Sequence, residues 1–445
     1  MYCLFRGSRT PGNISVLRFE SLLANRGSNL RANSIRAWLT SHYPALEHPL
    51  YVRLLGATAL SSLGSQFTVL ALSVAVFSAT GSVASLAGIW AVRVASRLLI
   101  QPFTGALADR WDRRQILVGG YLLSALLSAS LVLVLIEPLL VYPLVFLIQS
   151  VEGLVSPTMA AVVPSLVPKE VLVSANALRV VLTKVTASLG PALAGLLYSL
   201  VGPVWLFIFD ALTFAGVAYA VLGLPSALGA VPSRRGGSVW AEAAEGVRFA
   251  LTNRTVVIIL ALSMLTSLFW RVVEIVMVPI SLEVAQIGAT GLGLLYTSLT
   301  LGGVVGVATL GALNKGIPGL AWVVLLNTLL ALPMLLGATF PTFAMLLAVF
   351  FLSGILFDIS GVATQSLLQA VVPKPFLGRV FSLVNVSLAL GVLPVLALVD
   401  PLVRWLGPAG ALQVTSLAVC SIGVLLYLAA KVRQGSVEKK EEPSG

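Results

Sequence analysis

From Leu54 nearly to the carboxyl end, apolar runs of about twenty residues alternate with short polar gaps. A helix needs roughly 20 residues to cross the ~30 Å hydrocarbon layer of a bilayer, so each run predicts one membrane span. Twelve are read: 54–77, 83–106, 114–136, 141–165, 171–199, 202–224, 254–280, 289–313, 318–337, 342–370, 376–400 and 407–431. Proline and glycine inside several runs would break a helix in water but are tolerated in membranes, where neighbouring helices satisfy the freed backbone. Residues 225–253 form the one long internal gap. They separate a first set of six spans within 51–224 from a second set within 254–431. The expected fold is therefore an all-α membrane protein, its twelve transmembrane helices arranged as two pseudo-symmetric six-helix bundles. Residues 1–50 read as a basic, disordered tail and 432–445 as a charged cytoplasmic one.

The gap itself carries a shorter pattern. Ser238 is a candidate helix cap, followed by Trp240, Ala244, Val247 and Leu251 on one face, with Glu242, Glu245 and Arg248 away from it. That predicts an amphipathic helix lying at the membrane surface between the bundles; a merely solvated linker helix is the alternative.

Charge then orients the chain. The gaps after even-numbered spans carry Arg110, Arg113 and Arg114, then Lys169, then Arg234, Arg235 and Arg248, then Lys315, then Lys374 and Arg379. In the opposite gaps Arg404 is the clear exception. Bases favour the cytoplasmic side, so both termini and the 225–253 gap are expected there, in a cell (inner) membrane. The net charge of +11 is spread over these gaps and forms no single basic patch, so nucleic acid is not an expected partner. Only 10% of residues are charged and mean hydropathy is +0.99, which excludes a soluble globular domain. Two cysteines, Cys3 and Cys420, make neither a disulfide framework nor a metal site. Both histidines, His42 and His48, precede the first span. The arginine-rich, acid-poor start lacks a signal-peptide core. It reads as a tail or as sequence upstream of the true start rather than as a transit peptide.

The two halves echo one another. Ala79-Thr80-Gly81 recurs as Ala289-Thr290-Gly291, and Val167-Pro168-Lys169 as Val372-Pro373-Lys374. Internal repetition of this kind places a transporter's site between its halves.

Gly105-Ala-Leu-Ala-Asp109-Arg110-Trp-Asp112-Arg113-Arg114 sits between spans two and three. It resembles the loop signature of the major facilitator superfamily, with Asp112 in the place of the usual second glycine. Further segments resemble that superfamily's bacterial exporter branch, the enterobactin-exporter-like and macrolide-efflux-like proteins: Pro164 to Glu170, Ala175-Asn176-Ala177-Leu178, Asp210 to Phe214, and Gly378 to Ser382. The Gly190-Pro191 segment with Gly195 is similar to the antiporter signature of drug exporters; close helix packing would equally account for it. The resemblance implies the major facilitator fold and alternating access. It also implies a gate in which Asp109 meets the start of the eleventh helix near Pro375-Phe376, with Arg113 as a second partner. Two usual acid and base positions differ: Ser65 follows Gly64 where relatives carry an aspartate, and Gln149 stands for the fourth-span arginine.

Ionisable residues inside the membrane are costly and mark functional sites by default. Near mid-span stand Arg93 and Arg97, one turn apart on one helical face, with Glu152, Lys184 and Asp358. Burial disfavours a charged carboxylate and a nearby cation favours it, a competition that a proton carrier requires. Glu152 and Asp358 are thus candidate coupling or substrate groups, together with the three bases; static neutralisation within one bundle is the alternative. Asp210, Arg271 and Glu274 are expected nearer the outer face, in exposed or structural roles. No phosphate loop is present and no catalytic or metal constellation is visible, so neither an enzyme nor a resident cofactor is expected. The resulting reading is a monomeric secondary transporter, coupled to protons or another ion and exporting small amphipathic molecules such as drugs or siderophores. A membrane sensor or assembly partner that keeps the fold is the alternative.

Overall fold

The computed structural model describes residues 43–108, 111–225, 239–313 and 319–441. Helices follow the apolar runs: α1 (Pro49–Thr80), α2 (Val83–Ala108), α3 (Arg113–Ser130), α4 (Val141–Leu166), α5 (Leu172–Val201) and α6 (Pro203–Leu222) in the first half. The short α7 (Val239–Thr252) precedes the second half, which comprises α8 (Arg254–Pro279), α9 (Gly288–Leu313), α10 (Leu320–Leu329), α11 (Ala331–Thr339), α12 (Phe343–Val371), α13 (Leu377–Leu390) and α14 (Val392–Glu441). Together α10 and α11 make one span, broken beside Leu330. Helix α14 holds the end of one span and the whole of the next, because Gly407 interrupts it with φ 71° and ψ 172°. Twelve crossings result, and no strand occurs among the described residues.

That interruption has a twin. Gly202 joins α5 to α6 with φ 78° and ψ 173°, and each glycine is followed by a proline, Pro203 or Pro408. Positive φ suits glycine because it lacks a Cβ, and proline then starts the next helix at the position where a missing N–H costs nothing. The same corner 205 residues apart extends the internal repeat into the backbone.

Packing repeats too. Helix α1 lies against α5 and α6, as α8 lies against α13 and α14; α2 packs on α4 as α9 packs on α12. Across the halves α5 packs on α9 and α2 on α14. Buried side chains reveal which end is closed. At the end opposite the basic loops one apolar cluster draws on both halves, including Phe77 and Leu86 from the first and Phe269, Leu292 and Val395 from the second. At the basic-loop end the clusters stay separate, around Leu117 and Val221 in the first half and Ile259, Leu368 and Val380 in the second.

Two bounds read from the sequence shift. Residues 44–47 form a 3-10 turn with Ala45 buried, and α1 begins at Pro49, so helical structure is present before residue 51. At the other end the backbone stays helical to Glu441 rather than stopping at 431. Helix α7 packs on the second bundle through buried Gly246 and Ala250 and half-buried Phe249, leaving Val247 and Leu251 of the apolar face exposed. Glu245, away from that apolar face, pairs with Arg379 of α13 at 2.7 Å, and Phe249 stacks on Phe376 with ring centres 4.6 Å apart. The small Gly246 and Ala250 let the helix press close to the second bundle. Ser238 lies outside the described residues.

Candidate functional site

A cavity of about 610 Å³ opens inside the first half, walled by α1 to α6. It runs from Tyr51 and Asn176, near the basic-loop end, to Thr68 and Val69 beyond the middle of α1. Its size falls within the usual ~300–1,000 Å³ of small-molecule sites. Arg93 and Arg97 of α2 both line it, as their spacing predicts, together with Glu152 of α4, Arg179 of α5 and Asp210 of α6. Glu152 meets no base among the described residues; its carboxylate accepts a 2.8 Å hydrogen bond from the Gln149 amide one turn earlier.

Asp210, expected nearer the outer face in an exposed or structural role, lies buried on the cavity wall. It is 2% exposed, and its carboxylate is held by hydroxyls: Thr68 donates at 2.7 Å, Ser128 at 2.8 Å and Ser65 at 3.5 Å. Such charge-to-hydroxyl bonds are what permit a buried carboxylate to exist at all. Gly64 makes the approach possible, since a Cβ there would stand 2.7 Å from Asp210 Oδ1. The acid missing from the first span beside Ser65 is therefore supplied from α6.

The other mid-membrane acid, Asp358 on α12, reaches across the halves. Lys184 Nζ of α5 donates to its Oδ2 at 3.0 Å, with the lysine half exposed. The pair is not neutralisation within one bundle but a bond between two. A second inter-half contact surrounds Trp90 of α2. The Arg271 guanidinium of α8 lies 3.8 Å from the ring centre and that of Arg93 4.8 Å, a cation–π arrangement. Arg271 also pairs with Glu274 one turn further along α8. Arg271 and Glu274, expected in exposed or structural roles, are thus part of the seam between halves.

Gly190, Pro191 and Gly195 form another part of that seam. A Cβ on Gly190 would come within 2.8 Å of the Gln66 side chain of α1. Gly195 lies against the Ala289 carbonyl of α9, and Gly293 of α9 lies against the Pro191 carbonyl. Thr297 also accepts the Ala192 N–H at 3.0 Å, and Ser199 and Thr290 share a 2.9 Å hydrogen bond. The motif is, physically, a place where two backbones touch.

Of the loop motif, Gly105 lies in the last turn of α2, and Asp109 and Arg110 lie outside the described residues. Asp112 caps α3, accepting the N–H of Arg114 at 2.7 Å and of Gln115 at 3.2 Å. This gives the departure from the usual glycine a local cause: an aspartate satisfies the orphan donors of a helix start and its charge suits the positive end. Arg114 donates to the Leu222 carbonyl at the end of α6, tying the loop to that helix's negative end, while Arg113 is the first residue of α3. The inter-half pairings were hidden from the sequence because Lys184 and Asp358 are 174 residues apart. The Ser65–Thr68 hydroxyls near Gly64 were the signal that could have found Asp210.

Two pseudo-symmetric six-helix bundles, the first of them enclosing a polar cavity, define a multi-pass membrane transporter. The chain belongs to the Major Facilitator Superfamily, whose family model matches residues 54–395. It is 28% identical over 334 residues to the enterobactin exporter of Escherichia coli O1:K1 / APEC, covering 73% of this chain and 78% of that one. The enterobactin exporter of Shigella boydii serotype 18 matches to the same extent. Among solved structures, the nucleoside transporter NupG aligns with a TM-score of 0.67 at 13% identity, over 86% of this chain and 98% of that one. A bacterial homologue of the iron transporter ferroportin, in its inward-facing state, aligns with a TM-score of 0.64 at 15% identity, over 85% and 98%. Transport, rather than catalysis, is the activity of this family and these relatives.

Proposed function

We propose that the protein is a proton-coupled exporter of small amphipathic molecules, working by alternating access as a monomer in the cell (inner) membrane. The observation that carries the reading is the cavity's position. It faces the end where the two halves keep separate cores, while the far end is sealed by one shared core. Positive loops favour the cytoplasmic side, which supports an open end on the inside, where an exporter loads its substrate. The similarity to enterobactin exporters supports the same direction.

The Lys184–Asp358 pair offers a coupling element. A proton on Asp358 removes its charge and frees Lys184, loosening one bond between the halves; Glu152 in the cavity is the second candidate carrier. Asp109 of the loop motif is proposed as the gate, at the basic-loop mouth. The test uses inverted membrane vesicles energised with a proton gradient and a panel of neutral, cationic and anionic fluorescent dyes. At least one dye is expected to accumulate uphill, and a proton uncoupler should collapse that accumulation. Asp358→Asn or Glu152→Gln should abolish the uphill component while sparing exchange, which needs no net proton movement. Failure to concentrate any dye above protein-free vesicles would overturn the exporter reading. Uphill transport surviving in both variants would remove these carboxylates from coupling.

A further inference from the structure

Charge in the cavity is unbalanced in a way that alternating access does not use. Five charged groups line it, three of them arginines: Arg93, Arg97 and Arg179, against Glu152 and Asp210. Both acids are satisfied by neutral donors, Glu152 by the Gln149 amide and Asp210 by the hydroxyls of Ser65, Thr68 and Ser128. None of the three guanidiniums forms an ion pair or hydrogen bond among the described residues. Arg93 rests on the Trp90 ring with its Nε buried and unpaired. The acid of the same seam, Glu274, is already taken by Arg271.

Arginine at membrane depth is too costly to keep without a task. Arg93 and Arg97 stand one turn apart on the same face of α2 and both line the one cavity. Guanidinium forks match the oxygen spacing of carboxylates and phosphates and bind them through paired hydrogen bonds. Arg179 lies two turns into α5, nearer the open end, where a cation draws anions inward. The remaining wall includes Leu54, Met159 and Phe214, which would receive an apolar body.

We propose that the cavity is a binding site for amphipathic anions, the oxyanion held by Arg93 and Arg97 and the apolar part lying against α1, α4 and α6. The proposal rests on the exporter reading in taking this cavity as the substrate chamber. Carboxylate and phosphate share the recognising chemistry, and the experiment separates them.

Purified full-length protein is titrated with 4-phenylbutyrate, phenyl phosphate and phenyltrimethylammonium, which share an aromatic body and differ in charge. Saturation is followed by thermal shift. At least one anion is expected to half-saturate at a concentration tenfold or more below the cation, and the tighter anion shows whether a planar or a tetrahedral group fits. Arg97→Ala should weaken anion binding about tenfold and leave the cation unchanged, with Arg97→Lys intermediate because it keeps the charge and loses the fork. Should Arg97→Ala not fold, Arg97→Gln, which keeps most of the side chain's bulk and removes its charge, provides the same comparison. Equal or tighter binding of the cation, no saturable binding of either anion, or anion binding indifferent to the arginine substitutions would each overturn the proposal. Dye accumulation by the same wild-type protein is scored separately. Uphill transport without anion preference sinks this inference alone, and anion binding without uphill transport sinks the exporter reading alone.

Discussion

Replacing Gly195 with valine tests whether the α5–α9 seam holds the far end shut. A Cβ at this position would stand 3.0 Å from both the Ala289 carbonyl carbon and Thr290 Cα, with the Ala289 oxygen closer still. Ordinary contact begins near 3.4 Å, and the opposing atoms are backbone, which cannot rotate aside. The helices must therefore part by several tenths of an ångström for alanine and further for valine. Overpacking of this kind costs about 1–3 kcal/mol. The cost falls only on the state in which α5 and α9 touch, so it shifts the balance between facing states about 5- to 150-fold. Spin labels on cysteines at Ser82 and Phe340, in turns at the sealed end, would read the shift by pulsed electron resonance. The distance distribution should move to longer values in Gly195→Val and less far in Gly195→Ala. A valine variant that folds, transports at the wild-type rate and keeps the same distances would refute the seam's role.

Asp112→Ala should lower stability by about 0.5–2 kcal/mol through loss of the α3 cap, while Asp112→Asn or Asp112→Ser restores most of it; thermal melts in detergent would show this order, and a melt unchanged by alanine would contradict it. Orientation is testable in a protein cleared of Cys3 and Cys420. A cysteine at Ser82 should react with a membrane-impermeant thiol reagent in intact cells and one at Ser233 should resist, and the reverse pattern would invert both topology and export.

Spans were readable because crossing hydrocarbon imposes a length that any sequence must meet. Even the join between the last two spans was legible, since Gly407-Pro408 is chemically the same corner as Gly202-Pro203. Pairing was not. Hydropathy gives depth along a helix but not the partner facing it. Asp210 therefore passed for a peripheral acid, although it is enclosed by hydroxyls from α1 and α3, and Asp358 gave no sign that its partner lies on α5. Helix α7 shows a subtler limit. Its larger apolar residues, Val247 and Leu251, suggested a face for the membrane surface but not the side on which Gly246 and Ala250 permit close approach to the second bundle. Size, not hydrophobicity, decided which face packed.

The clamp on α7 settles which half carries the connection. Fixed by the Glu245–Arg379 pair and the Phe249–Phe376 stack, the helix is a rider on α13 and shares its motion. In a rocking cycle its exposed Val247 and Leu251 would travel through the headgroup layer like a keel. In the alternating-access cycle proposed above, lipid displaced on that path would add to the work of switching.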